Sequence, residues 1–157
     1  MNFSDYIPQT GGIVKYSPSG DLVAVAKTFE VKIYETNSLR PMHSYSFIDV
    51  VSHLEWSGDS NYILVGIAKR GLAFAKSLTD SDWHCKVDEG MAGLASCRFA
   101  GTHLITISEF KLRLTVWSLA DKSVQYIRNP KHEDRAIDFT ANARYMALAQ
   151  RTNEGKD

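Results

Sequence analysis

The side chains able to do chemistry are five histidines, His43, His53, His84, His103 and His132, two cysteines, Cys85 and Cys97, and the adjacent carboxylates Asp88 and Glu89. No two histidines have the i, i+4 spacing of an HExxH helix, no CxxC pair exists and no EF-hand-like acidic loop accompanies them, so no metal is expected. The densest cluster is His84 beside Cys85, with Asp82 and Asp88 close in sequence. A catalytic thiol needs an imidazole that faces it, whereas neighbours along a strand point to opposite faces, so the cluster reads as structural. Ser57-Gly58-Asp59-Ser60 lacks the Gly-x-Ser-x-Gly nucleophile elbow, and neither glycine-rich phosphate loop occurs. Asp88-Glu89 precedes Gly90-Met91-Ala92-Gly93 and reads as a solvated turn. The expectation is a chain that is not an enzyme, with no catalytic residue, no cofactor and no small-molecule substrate.

The elements that position these residues must form one domain, because 157 residues suffice for a single buried core and not for several. Apolar residues make up 44% and charged residues 23%, the composition of a chain that packs. Lys plus Arg number 18 and Asp plus Glu number 18, so neither a basic nucleic-acid surface nor an acidic tail is written into the charge balance. Apolar runs such as Leu22–Ala26 and Ile63–Ala68 fall far short of the roughly 20 residues that cross a bilayer. With no secretory signal at the start and no disulfide framework, a cytoplasmic protein is expected.

The chain repeats itself. Tyr16, Trp56, Phe99 and Phe139 recur roughly every forty residues, each after an alternating segment and before a turn and an apolar run. Val14/Tyr16, Leu54/Trp56, Cys97/Phe99 and Ile137/Phe139 have the two-residue period of a strand. The runs Leu22–Ala26, Tyr62–Ile67, His103–Ile107 and Tyr145–Ala149 read as strands covered on both faces. A third strand follows at Val31–Glu35, Leu72–Leu78 and Leu114–Leu119, where Lys76 replaces the aromatic of Tyr34 and Trp117. A weaker fourth strand follows at Met42–Phe47, His84–Val87 and Val124–Arg128. Four short strands per roughly forty residues make one propeller blade. The fold class is therefore all-β, an incomplete arc of about three and a half four-stranded blades, with units at 9–48, 49–90, 91–130 and, in part, 131–157. A non-repetitive β-sandwich has the same strand density; the recurring aromatic spacing argues against it.

The order of aromatic anchor, Ser-Pro-x-Gly-Asp turn, apolar strand and Val-x-Ile-Tyr or Leu-Thr-Val-Trp resembles a WD repeat. Neither the Gly-His opening nor the Trp-Asp closing pair is present, so the blades are expected to rely on apolar packing. More narrowly, His53-Leu54-Glu55-Trp56-Ser57, the octapeptide Trp83-His84-Cys85-Lys86-Val87-Asp88-Glu89-Gly90 and Arg113–Leu119 resemble the N-terminal blades of the WD-repeat protein eight family of centrosomal and spindle-pole proteins. That resemblance implies a scaffold that joins a coiled-coil adaptor at the centrosome or spindle pole and helps to anchor microtubule minus ends. Members of that family are longer, so the chain is expected to be a truncated product whose end blades expose apolar faces and promote aggregation.

Surface recognition is the chemistry left. The turns between second and third strands carry Phe29, Lys69, Arg70, Phe110, Lys111 and Arg113, which should emerge on one rim and form the candidate protein-binding site. Phe29 and Phe110 either stand exposed there or fold back to plug their own blades. An RNA-associated propeller and a propeller-fold enzyme are the alternatives in function. The charge balance counts against the first, and the lack of His, Asp or Glu recurring at equivalent positions counts against the second.

Overall fold

The computed structural model describes residues 6–9, 11–128, 137–140 and 142–149. His132 and the polar tail 151–157 lie outside them.

The first blade is the antiparallel meander β1 (Val14–Tyr16), β2 (Leu22–Lys27), β3 (Glu30–Glu35) and β4 (Pro41–Ser46). The second comprises β5 (His53–Trp56), β6 (Tyr62–Ile67), β7 (Leu72–Ser77) and β8 (His84–Asp88). The third comprises β9 (Leu94–Ala100), β10 (His103–Ser108), β11 (Arg113–Ser118) and β12 (Val124–Arg128). The pair β13 (Ile137–Phe139) and β14 (Met146–Leu148) begins a fourth. This is the expected all-β arc of four-stranded blades. The four anchors share one place in it: Tyr16 pairs with Val23, Trp56 with Ile63, Phe99 with Leu104 and Phe139 with Met146, each on the second strand of its own blade.

The core lies between sheets and not within one. Ala24, Ala26, Val31 and Ile33 of the first blade pack against Leu54, Trp56, Ile63 and Val65 of the second. Leu64, Ala73, Ala75 and Val87, on the opposite face of the second blade, pack against Leu94, Cys97 and Leu104 of the third. Alternation along β6 thus sends Ile63 and Val65 one way and Leu64 the other, which is why the run is apolar without a break. Gly66 is fixed by this stacking, since a Cβ there would meet the Cys97 Sγ at 2.8 Å and the His53 Cβ at 2.9 Å.

Hydroxyl groups close the hairpins between first and second strands. Ser17, Ser57 and Thr140, each following its anchor, accept from the backbone N–H of Leu22, Tyr62 and Tyr145 at 3.1, 2.9 and 3.1 Å. The third blade has Ala100 there and a hairpin shorter by two residues, in which His103 pairs directly with Ala100. In the second blade the left-handed residue is Ser60 (φ 62°), at the position that Gly20 (φ 81°) holds in the first.

One anchor departs from expectation. Trp56 is 7% exposed, but Tyr16 is 65% exposed, because among the described residues a blade lies against the anchor face of the second sheet and none against that of the first. Trp56→Ala should therefore lower unfolding free energy by about 3 to 5 kcal/mol, whereas Tyr16→Ala should change it by less than about 1 kcal/mol. Urea denaturation of the two variants measures the difference; equal losses would contradict the placement.

Candidate functional site

Meander topology puts the β2–β3, β6–β7 and β10–β11 turns at one end of the sheets, together with the connectors β4–β5 and β8–β9. Backbone bonds tie turn to connector: Phe47 N–H to Phe29 O at 2.7 Å, Val51 N–H to Thr28 O at 2.8 Å and Glu89 N–H to Gly71 O at 2.8 Å. Gly71 is demanded twice over, by its φ of 66° and because a Cβ would lie 2.1 Å from the Gly90 carbonyl oxygen.

Of the expected rim residues, Phe29 is half exposed and Phe110 is 86% exposed, so Phe110 does not plug its blade. Lys69 is exposed. Arg70 is exposed but directed, its Nε donating to Asp49 Oδ2 at 2.8 Å. The Val50 N–H and then Arg70 hold the Asp49 carboxyl below its ordinary range. Lys111 is half buried. Arg113 belongs instead to an interior network described below. Sequence reasoning missed Ile48, Val50, Met91 and Leu112, which are exposed in the same turns and connectors. Their signal was an apolar residue in a turn or connector where the strands needed none. Phe110 and Lys111 both have positive φ, 56° and 70°, a strained conformation for a bulky side chain.

The network centres on Glu89, whose side chain is 1% exposed. The expected solvated turn is corrected here: the carboxylate points into the third blade. It accepts from the Thr106 hydroxyl, from Ser108 Oγ at 3.1 Å, from Arg113 Nη2 at 2.7 Å, from Thr115 Oγ1 at 3.5 Å and from Trp117 Nε1 at 3.3 Å. Trp117 Nε1 also donates to Thr106 Oγ1 at 2.9 Å. Burial pushes the Glu89 carboxyl up, but the bonds from Thr106, Arg113, Ser108 and Thr115 outweigh it and hold the group below the ordinary range. Reliance on apolar packing alone therefore does not describe the third blade. In the second, Val65, Phe74 and Lys76 stand where Thr106, Thr115 and Trp117 do, and no such network can form.

A second polar series runs along the first strands. Lys15, Glu55, Arg98 and Asp138 each precede the anchor, so successive blades carry alternating charges at one register. Trp56 Nε1 donates back to Lys15 O at 2.9 Å and Arg98 Nη1 donates forward to Ile137 O at 3.1 Å. Burial, partly offset by Arg98, the Phe99 N–H and Lys15, pushes the Glu55 carboxyl up to about 7. Among the described residues no group of three or more His, Cys, Asp or Glu side chains could hold a metal ion. Cys97 is buried, which pushes its thiol up, and His84 is exposed with Nδ1 3.1 Å from Asp82 O, not facing the Cys85 thiol.

The two carboxylates titrate with opposite sign. Glu55, raised in the folded state, contributes stability below its ordinary value near 4.5 that is lost as pH rises towards about 7. Glu89, lowered in the folded state, contributes stability above its ordinary value near 4.5 that is lost as pH falls through and below it. Denaturation midpoints should therefore decline from pH 5 to pH 7.5, and Glu55→Gln should flatten that slope. Glu89→Ala should cost about 3 kcal/mol at pH 7, because it removes the carboxylate that pairs with Arg113 and accepts from three buried hydroxyls. An unchanged slope in Glu55→Gln, or a neutral Glu89→Ala, would contradict these assignments.

No protein-family model matches the chain. It is 42% identical over 153 residues to WD repeat-containing protein WRAP73 of Mus musculus, a match that takes in 96% of this chain and 33% of the mouse protein. The chain thus spans about one third of the length of the curated relative it matches. Among solved structures, the Cps50 (Swd1) β-propeller domain of Myceliophteria thermophila superposes with a TM-score of 0.72 at 13% identity, over 90% of this chain and 51% of that one. The dihydro-heme d1 dehydrogenase NirN superposes with a TM-score of 0.66 at 18% identity, over 89% of this chain and 32% of that one. Likeness at such identities speaks for fold alone, and an enzyme stands among the neighbours. Stacked four-stranded meanders, a repeat of roughly forty residues and these superpositions agree on one architecture: the chain is an incomplete arc of a WD40-type β-propeller.

Proposed function

We propose that this chain is part of a non-catalytic scaffold that binds protein partners through the rim of its β2–β3, β6–β7 and β10–β11 turns. The observation that carries this is the chemistry of that rim. Phe29, Ile48, Val50, Met91, Phe110 and Leu112 are all exposed on it, although turns of a blade need no apolar side chains. Lys69 and Arg70 stand among them as the directional contacts that accompany apolar anchors in hot spots. The positive φ of Phe110 adds to the reading, since a strained aromatic held outwards fits a docking role better than a packing one.

The finer reading is a scaffold of the centrosome or spindle pole that engages a coiled-coil adaptor and contributes to microtubule minus-end anchoring. The sequence resemblance of Trp83–Gly90 and Arg113–Leu119 supports it. An apolar rim also fits the exposed apolar face of an amphipathic helix at the end of a coiled coil. The equal numbers of basic and acidic residues, 18 each, give the RNA-associated alternative no support.

Phe110→Ala and Met91→Ala, both at exposed positions, should leave stability within about 0.5 kcal/mol and weaken partner capture by about 1 kcal/mol or more each. Affinity purification of the tagged chain from dividing cells, read for spindle-pole coiled-coil proteins and paired with imaging of its position, measures both. Unchanged capture by a folded double variant would remove the rim as the site. Absence of the tagged chain from spindle poles would remove the finer reading.

A further inference from the structure

The opposite rim carries a cleft of about 470 Å³ between the second and third blades, lined by the aromatic rings of Tyr62, Trp83 and Phe99 together with Asp59, Thr102 and Leu119. Its origin is the short third-blade hairpin. At the first boundary, the longer hairpin of the second blade reaches back, and Ser60 Oγ accepts the Ser19 N–H at 3.1 Å. At the third boundary, Ala143 of the long fourth-blade hairpin lies so near Gly101 that a Cβ there would meet its Cβ at 2.7 Å. Only the Ala100–His103 turn is too short to reach its neighbour, and the gap it leaves is the cleft.

The charge around this gap is one-sided. The four loops that border it, 57–61, 78–83, 101–102 and 119–123, contain Asp59, Asp80, Asp82 and Asp121 against Lys122 alone. Turn closure does not require that charge at Asp59. Its Oδ1 accepts from Ser57 Oγ at 2.5 Å and from the Asn61 N–H at 3.1 Å. In the fourth blade the neutral Asn142 accepts the matching bonds from Thr140 Oγ1 at 2.8 Å and the Arg144 N–H at 3.1 Å, and in the first blade Ser19 holds the same position. The carboxylate appears at the hairpin that borders the cleft. The Tyr62 and Trp83 rings, 4.9 Å apart and edge to face, offer π surface to whatever enters, and π faces attract cations. Bonds from Ser57 and Asn61 hold the Asp59 carboxyl below its ordinary range, and bonds from Ser118 and Ser123 lower that of Asp121 to about 2, so both stay charged.

We propose that this cleft is a second docking site, on the rim opposite the apolar one, and that it takes an Arg or Lys side chain of an extended peptide segment, with neighbouring apolar side chains against Phe99 and Leu119. The cation would stack on Tyr62 and Trp83 and face Asp59, with Asp121 adding to the field. The site stands apart from the apolar rim, so a scaffold of this kind could hold two ligands of different chemistry at its two ends.

The probe is acetyl-Leu-Arg-Leu-amide titrated into the whole chain, followed by the NMR shifts of the Trp83 indole and the Gly101 and Thr102 amides, with acetyl-Leu-Glu-Leu-amide as its counterpart. The Arg peptide should shift these signals and bind about tenfold more tightly than the Glu peptide. The pair Asp59→Asn and Asp121→Asn should weaken it about three- to tenfold, and because Asn142 shows that asparagine closes the same turn, the fold should persist. Ala120→Arg, at an exposed position on the cleft wall, should block binding by placing a cation there from within the chain. Phe110→Ala should leave the titration unchanged, so loss of the apolar rim and loss of this site are separately visible. Equal binding of both peptides, no shift at millimolar peptide, or equal affinity for arginine amide alone would overturn the proposal.

Discussion

Sheets stacked face to face share no backbone ladder, so every boundary between blades must be held by side chains, and the rest of this structure follows from how each boundary is held. At the first, Trp56 buries its ring against Ala24 and Ile33 and sends its indole N–H to the Lys15 carbonyl. At the second, Glu89 bonds through its backbone to the Gly71 carbonyl of one blade and through its carboxylate to Thr106, Ser108, Arg113 and Thr115 of the next. At the third, Arg98 donates to the Ile137 carbonyl. Three boundaries are thus solved in three ways, with apolar packing common to all. The Glu89 arrangement is directional where packing is not: five donors converge on one carboxylate, so the third blade can rotate little against the second.

The alternation Lys15, Glu55, Arg98 and Asp138 acts on the same boundaries at longer range. Each charge has a neighbour of opposite sign on the adjacent first strand. The cost falls on Glu55, whose burial raises its proton affinity more than Arg98 and Lys15 lower it. At Glu55 desolvation thus outweighs attraction, so the alternating charges add little stability of their own to that boundary.

Strand positions were legible because they depend on local alternation: the aromatic anchors and the apolar runs after them fall where their spacing put them. Burial of an anchor was not, since Tyr16 and Trp56 differ in what lies across the boundary and not in their own segments. The Glu89 network escaped for a related reason. Its members come from the end of one blade and from β10 and β11 of the next, and read one at a time each has an ordinary explanation. The overlooked sign was a pair of hydroxyls, Thr106 and Thr115, inside runs that should be wholly apolar, with a tryptophan two residues beyond the second. A buried hydroxyl needs a partner, and Glu89, at the end of the preceding blade, supplies it. Three rim residues, Ile48, Val50 and Met91, were missed because connectors were taken as passive links, and Leu112 because it sits between the more conspicuous Lys111 and Arg113 of its turn.

Chemistry differs between the two ends for a physical reason. Hairpins joining first and second strands must turn tightly, so Ser17, Ser57, Thr140, Asp59 and Asn142 are held there by backbone bonds and their polarity is explained by closure. The other end is tied in part by backbone–backbone bonds such as Phe47 to Phe29 and Val51 to Thr28, which place no demand on side chains. Polar side chains carry structural duty at that end, as in the Arg70–Asp49 pair and the Glu89–Arg113 network, whereas an apolar residue left in water there gains nothing for the fold. Six such residues on one rim therefore carry information that the same residues in a strand would not. By the same logic, a carboxylate at Asp59 where serine or asparagine closes the equivalent turns is a choice that the turn did not make.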